Sequence, residues 1–190
     1  EQAGRTVKQG LATADDFRFL RCWWEIKSDQ QRWPGFAKGG ASSSFYADVH
    51  LVVNWSKGGA EIKNNVNEKG GVRSNVWMLR ETEANHFRQP GLTFTLARTP
   101  RFSPRALPRD LIFGHVGSCL FAPVNELGAL SALLNSSAVT YILRVISISN
   151  WEVGYVRQLP MPPISESIAK ELAELAESAW SLRRTMDSVH

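Results

Sequence analysis

Three features of this sequence predict a mixed α/β chain of the α+β kind, with a mostly antiparallel sheet, short packing helices and a long C-terminal helix. Between residues 49 and 109, apolar and polar side chains alternate among turns rich in Gly, Asn and Pro, the pattern of half-buried strands. After Pro123 the apolar spacing changes to three and four, as helices require. The tail then carries a seven-residue apolar repeat.

In chain order, residues 15–24 read either as a short helix or as an extended stretch. Residues 30–44, with Trp33-Pro34-Gly35 and Gly39-Gly40, form a loop. Residues 51–55 are a strand, 56–59 a turn and 60–63 the expected return partner, followed by a polar Asn- and Gly-rich loop over 64–71. Leu92, Phe94 and Leu96 alternate with Thr93 and Thr95 as a strand with one buried face. Residues 111–113 and 119–121 supply two more, joined by a glycine turn over 114–117. Leu127, Leu130, Leu133 and Leu134 mark a helix, and Asn135-Ser136-Ser137 punctuates it. Val139, Ile142, Leu143 and Ile146 mark a second. Residues 151–160 read as extended, up to the Pro160-Met161-Pro162-Pro163 breaker.

The closing helix spans residues 165–190, with Ser165 as its cap and Glu166 favourable in its first turn. Ile168, Leu172, Leu175, Ala179, Leu182, Met186 and Val189 step by four and three along it. Such a helix is roughly 35 Å long. It is either an amphipathic helix folded back on its own domain or one half of a coiled coil. The organisation expected is a main domain over 1–160 and the long helix over 161–190.

Composition narrows the function. The chain has 190 residues, 43% hydrophobic, with seven tryptophans and a net charge of +4. Residues 1–110 hold 17 Lys and Arg against 11 Asp and Glu, whereas residues 111–190 hold 5 against 7. From Arg88 to Arg109 there are five arginines and no acid. Arginine grips phosphate and reaches a guanine edge with two parallel hydrogen bonds, so a nucleic-acid face is the leading reading. An ordinary solvated surface is the plain alternative. Cys22 and Cys119 lack metal or redox spacing and read as buried free thiols, which with no apolar leader or membrane-length run gives a cytoplasmic expectation. The absence of an initiator methionine suggests a fragment of a longer chain.

Catalytic patterns are weak. Asp48, a hairpin and then Glu61-Ile62-Lys63 match the short, degenerate arrangement of Mg-dependent PD-(D/E)xK nucleases. Residues 114–118 lack the order of a nucleophile elbow, and Lys38-Gly39-Gly40 lacks the spacing of a phosphate loop. His50, His86, His115 and His190 have no metal-ligand spacing. The expectation is no catalytic residue and no metal ligand in this chain.

Residues 10–21, Gly10-Leu11-Ala12-Thr13-Ala14-Asp15-Asp16-Phe17-Arg18-Phe19-Leu20-Arg21, followed by Trp23, carry a family resemblance. They resemble the "GLxTGDNxRFxRxW" opening of the recognition region that follows the catalytic domain in type IIG-like and BREX-type phage-defence adenine methyltransferases. The order continues through Phe36-Ala37-Lys38-Gly39-Gly40, Val52-Val53-Asn54-Trp55, Gly59-Ala60-Glu61-Ile62-Lys63 and Pro90-Gly91-Leu92-Thr93-Phe94-Thr95. It then runs through Ile112-Phe113, Gly117-Ser118 and Leu133-Leu134-Asn135-Ser136 to the segment from Val153-Gly154 to Leu159-Pro160. Ala14 stands where the family has glycine, and Asp16 where it has Asn. The closing helix is similar to the long helices after recognition domains in type I restriction specificity subunits.

The resemblance implies a target-recognition domain with a curved sheet that grips duplex DNA specifically. The catalytic domain of the parent restriction-modification or phage-defence methyltransferase, a partner outside this sequence, would flip the adenine and bind S-adenosylmethionine. Composition and resemblance together assign Lys38, Lys63, Arg98, Arg101 and Arg105 to phosphates and Arg73 and Asn75 to base edges. Ser42 and Ser43, with Ser44, are lesser base-edge candidates. Two other functions remain open at this stage. One is the Mg-dependent nuclease. The other is a protein-interaction module in which helix 165–190 meets a coiled-coil partner.

Overall fold

The computed structural model describes residues 4–27, 29 and 31–186, and strands and helices alternate along them. The first strand is Thr6–Lys8 (β1). Asp15 then caps a single turn, Asp16–Phe19 (α1), by accepting the Arg18 N–H at 3.1 Å. Leu20–Cys22 (β2) and a 3₁₀ turn over Trp23–Glu25 follow directly, so this stretch is helical and extended in succession. Next come Phe36–Ala37 (β3), Leu51–Val53 (β4), the helix Ser56–Lys63 (α2) and Arg80–Asn85 (α3). Strands Gly91–Thr93 (β5), Arg105–Leu107 (β6), Ile112–Phe113 (β7) and Cys119–Phe121 (β8) lead to the helical part. That part comprises Leu127–Leu134 (α4), Ser137–Ile146 (α5), Val153–Val156 (α6) and Glu166–Met186 (α7).

The predicted fold class holds: mixed α/β, with antiparallel pairing dominant and a long final helix. The sheet is divided, however. A four-stranded antiparallel sheet has the order β1-β8-β5-β6, while β2 pairs antiparallel with β4, and β3 pairs parallel with β7. The strands at 111–113 and 119–121 therefore form no hairpin. The 3₁₀ turn His115–Gly117 carries the chain from one sheet to the other. Strands β1, β3 and β6 leave no mark in the sequence: strands of two or three residues show little periodicity, β3 lies inside the stretch expected as loop over 30–44, and β6 begins with a buried arginine.

Two local expectations are corrected. Residues 60–63 are the end of α2, not a return strand, and β4 finds its partner in β2 instead. Lys57, Gly58 and Gly59 all adopt left-handed conformations, with φ of 51°, 65° and 74°, which swings the chain so that Ile62 is fully buried. Within 151–160, residues 153–156 form a helical turn that buries Val156. Of the final heptad seam, Val189 lies outside the described residues, as do His190 and Gln30.

Strand β8 separates two cores through the two-residue alternation of a strand. Cys119 and Phe121 join Phe19, Val53, Trp55 and Phe113 on one side, and Leu120 joins Leu92, Phe94, Phe102 and Trp151 on the other. Helix α7 lies against α4: a Cβ added at Gly128 would come within 2.9 Å of the Ala173 Cβ, and Ala176 is buried. Its small residues face the domain. Ile168, Leu175 and Leu182, one heptad apart, remain 48%, 64% and 64% exposed.

Candidate nucleic-acid interface

The segment after β3 is a glycine-serine loop whose shape is set from beneath. Gly39 has φ +108°, a conformation that L side chains rarely adopt, and a Cβ there would meet the Val116 carbonyl oxygen at 2.5 Å. Its own carbonyl accepts from Arg105 Nη2 at 2.7 Å. The Gly40 carbonyl accepts from Thr95 Oγ1 at 3.0 Å, and Arg105 Nη1 also donates to that threonine oxygen at 3.2 Å. Ser42 Oγ lies 2.7 Å from Ser103 Oγ. Ser43 Oγ donates to the Tyr46 carbonyl at 2.6 Å and accepts from Arg183 Nε at 3.3 Å.

Lys38 opens the loop and pairs with Asp16, which also accepts the Thr13 hydroxyl at 2.5 Å. Partial burial pushes the Asp16 carboxyl up, but the hydrogen bonds from Lys38 and Thr13 and the lysine charge outweigh it, so the carboxyl sits below its ordinary value. The Asp at this position thus anchors the loop's first residue.

The other predicted residues divide into exposed and engaged groups. Arg73 is exposed, with Nε donating to the Val66 carbonyl at 3.1 Å. Arg101 is exposed and donates to Ser137 Oγ at 3.3 Å. Arg98 donates to the carbonyls of Ser147 and Ile148 at 3.1 and 2.9 Å and lies 5.6 Å from the Trp151 ring centroid. Lys63 pairs with Glu83 at 2.7 Å above the Trp55 ring. Asn75 binds two backbone groups, donating to the Gly10 carbonyl at 2.9 Å and accepting from the Ala12 N–H at 2.8 Å. Arg105 is only 3% exposed, and its guanidinium is directed into the loop above. Asn75 and Arg105 therefore brace the chain; neither presents a free edge to a groove.

Ser42, Ser43 and Arg101 come together on one face, beside Arg183 of α7. Among the described residues, Arg98, Arg101, Arg144 and Arg183 have no carboxylate partner, and Arg144 Nη2 donates instead to the Pro100 carbonyl at 2.7 Å. Lys63 and Arg73 lie apart, around α2 and the loop after it. Sequence reasoning missed Arg144 and Arg183, since each belongs to a helix whose register says nothing about which loop it touches. It also passed over Trp23 and Trp24, which are 54% and 60% exposed and line a cleft with Ser42, Ser43 and Arg183.

The nuclease arrangement lacks its hairpin. Glu61 lies on α2, where it accepts from Asn54 Nδ2 at 3.2 Å and meets Arg18 at 3.9 Å, while Lys63 turns to Glu83. Among the described residues, no three His, Cys, Asp or Glu side chains are grouped to hold a metal ion. Cys119 is buried, which pushes its thiol pKa up, and Cys22 is partly exposed. No single described helix is long and apolar enough to cross a membrane.

No protein-family model matches the chain. It is similar to the adenine-specific methyltransferase PglX of Lacticaseibacillus casei (strain Zhang), with 26% identity over 94% of this chain and 16% of that protein. It is also similar to the adenine-specific methyltransferase BrxX of Escherichia coli O9:H4 (strain HS), with 25% identity over 94% of this chain and 15% of that protein. The chain thus spans 15–16% of the length of these curated relatives.

Proposed function

We propose that this chain is a target-recognition module of an adenine-specific DNA methyltransferase, reading duplex DNA while a catalytic domain elsewhere in the parent protein modifies adenine. The observation that carries this reading is the breadth of the match: nearly all of this chain aligns with a small part of two adenine-specific methyltransferases. A face of arginines that, among the described residues, have no acid partner fits the same role. Its setting would be restriction-modification or phage defence, and S-adenosylmethionine would bind in the catalytic domain.

In this reading Arg101 and Arg183 meet phosphates on the face beside Ser42 and Ser43, with Arg144 next to them through Pro100 and Arg98 farther along, beside Trp151. Lys38 and Lys63 exchange Asp16 and Glu83 for phosphate as DNA arrives. Arg73, exposed at the end of a loop, is the strongest candidate to reach a base edge. Each phosphate neutralised steepens the salt dependence by about 0.9 in the log-log slope. Duplex binding by the whole chain, titrated from low to moderate salt, tests the assignment. Arg101→Ala with Arg183→Ala should flatten the slope by about two, and Arg73→Ala should weaken binding to a preferred sequence more than to others. A slope unchanged by the double substitution would remove the phosphate role from this face.

The exposed Ile168, Leu175 and Leu182 stripe supports a second reading, in which α7 also docks a helical partner. An oligomeric state unchanged by Leu175→Asp with Leu182→Asp would sink self-association through it.

A further inference from the structure

The Trp23–Glu25 turn places two indoles on the surface and fixes them there. The Trp23 N–H donates to the His50 carbonyl at 2.9 Å, and the Glu25 carboxylate accepts the Cys22 N–H at 2.6 Å. Trp24 lies edge-on to Trp23, with centroids 5.6 Å apart, and nearly parallel to the His50 ring at 27° and 6.4 Å. Exposed tryptophans held in one geometry are unusual on a surface with no contact to make. They form one wall of a cleft of about 790 Å³.

Much of the remaining lining is polar. It includes the 39–43 loop, whose Gly39 and Gly40 carbonyls are drawn inward by Arg105 and Thr95. Among the described residues, no N–H of residues 39–43 donates to a backbone carbonyl, and Gly40, Ala41 and Ser42 are exposed. Arg183 stands at the rim with no carboxylate partner, and Asp48, the acid on the same rim, is engaged within the protein. Indoles sharing a cleft with exposed loop backbone and a guanidinium match a nucleotide, with a base face for the indole and a phosphate for the loop and arginine. An apolar protein surface would leave those donors and that charge unmatched.

We propose that this cleft takes one unstacked nucleotide of a DNA strand, its base on Trp24 and its phosphate against the 39–43 loop and Arg183. The proposal rests on the DNA-binding reading above and adds to it a site for a base outside the duplex. A duplex with an unpaired base has already met most of the unstacking cost, so it should bind better than a fully paired one.

The test is fluorescence anisotropy of the whole chain with three labelled duplexes: fully paired, with one bulged thymine, and with an abasic bulge at the same place. The expected result is about tenfold tighter binding to the bulged thymine than to the other two. Trp23→Ala with Trp24→Ala should erase that preference while leaving paired-duplex affinity within about twofold, and Trp23→Phe with Trp24→Phe should retain most of it. Equal affinity of the unaltered chain for all three probes would overturn the nucleotide site while leaving duplex recognition intact. A preference that survives the double alanine substitution, or that the abasic bulge shares, would also overturn it. Failure to bind any duplex would sink the DNA reading along with the site.

Discussion

Arg105 shows how far a residue's chemistry can be read without its address. Its type suggested a phosphate contact, yet the fold places it under the 39–43 loop at 3% exposure, bonded to Gly39 and Thr95. No sequence spacing reports that burial, because the three residues meet only when β3, β5 and β6 are in place. Arg105→Met should cost about 2–3 kcal/mol in denaturant unfolding by leaving the Gly39 carbonyl unpaired, and should speed amide exchange in the loop. Ala14 is the converse case, legible from sequence as a departure from glycine. It sits at φ +62°, where a side chain is strained, so Ala14→Gly should stabilise the fold by about 1 kcal/mol. Ionisation adds a pH dependence with a definite sign. The hydrogen bond from Lys8 lowers the Glu81 carboxyl, and Lys38 and Thr13, against burial, lower that of Asp16. Carboxyls lowered in the folded state favour folding above their ordinary values of 4.5 and 3.8, and that contribution is lost as pH falls below them. Lys8→Met with Lys38→Met should therefore reduce the steepness of acid unfolding monitored by circular dichroism.

Among the elements, long periodic stretches were legible and short ones were not. The helices beginning near Leu127 and Ser137 and the long final helix lie where their apolar spacing puts them. Residues 60–63 failed because a four-residue apolar-polar alternation fits either a strand or a helical turn, and the left-handed run at Lys57–Gly59 decided for the helix. The seam divides on the fold: Ile168 and Leu175 stay exposed, while Leu182 and Met186 line a pocket with the 42–45 loop. Helix α7 packs on α4 through Ala173 and Ala176, where the close approach to Gly128 needs small residues on both helices. Gly128→Leu should separate α7 from α4. Hydrogen exchange would report it as lost protection within residues 166–186, with the sheet unaffected. If α7 keeps its protection in that variant, the Gly128–Ala173 contact is not what holds it.

For the whole molecule, the four-stranded sheet lies between two cores, and the loops around it present charge. The acid-free arginine run from Arg88 to Arg109 was visible in the sequence, but the fold divides it: Arg105 is buried, Arg88 and Arg109 line a cleft with Trp33 and Asp110, and Arg101 lies beside Arg183 of α7. Charge distribution along the chain marked its basic half, and only the fold brings Arg101 beside Arg183. Selection from a random duplex pool at moderate salt, followed by sequencing of the retained fraction, tests the proposed target recognition. Enrichment of one short motif by the unaltered chain, blurred at one position by Arg73→Ala, is the predicted result. Retention of the pool without enrichment would contradict sequence reading by this module and reduce its role to a grip on the DNA backbone.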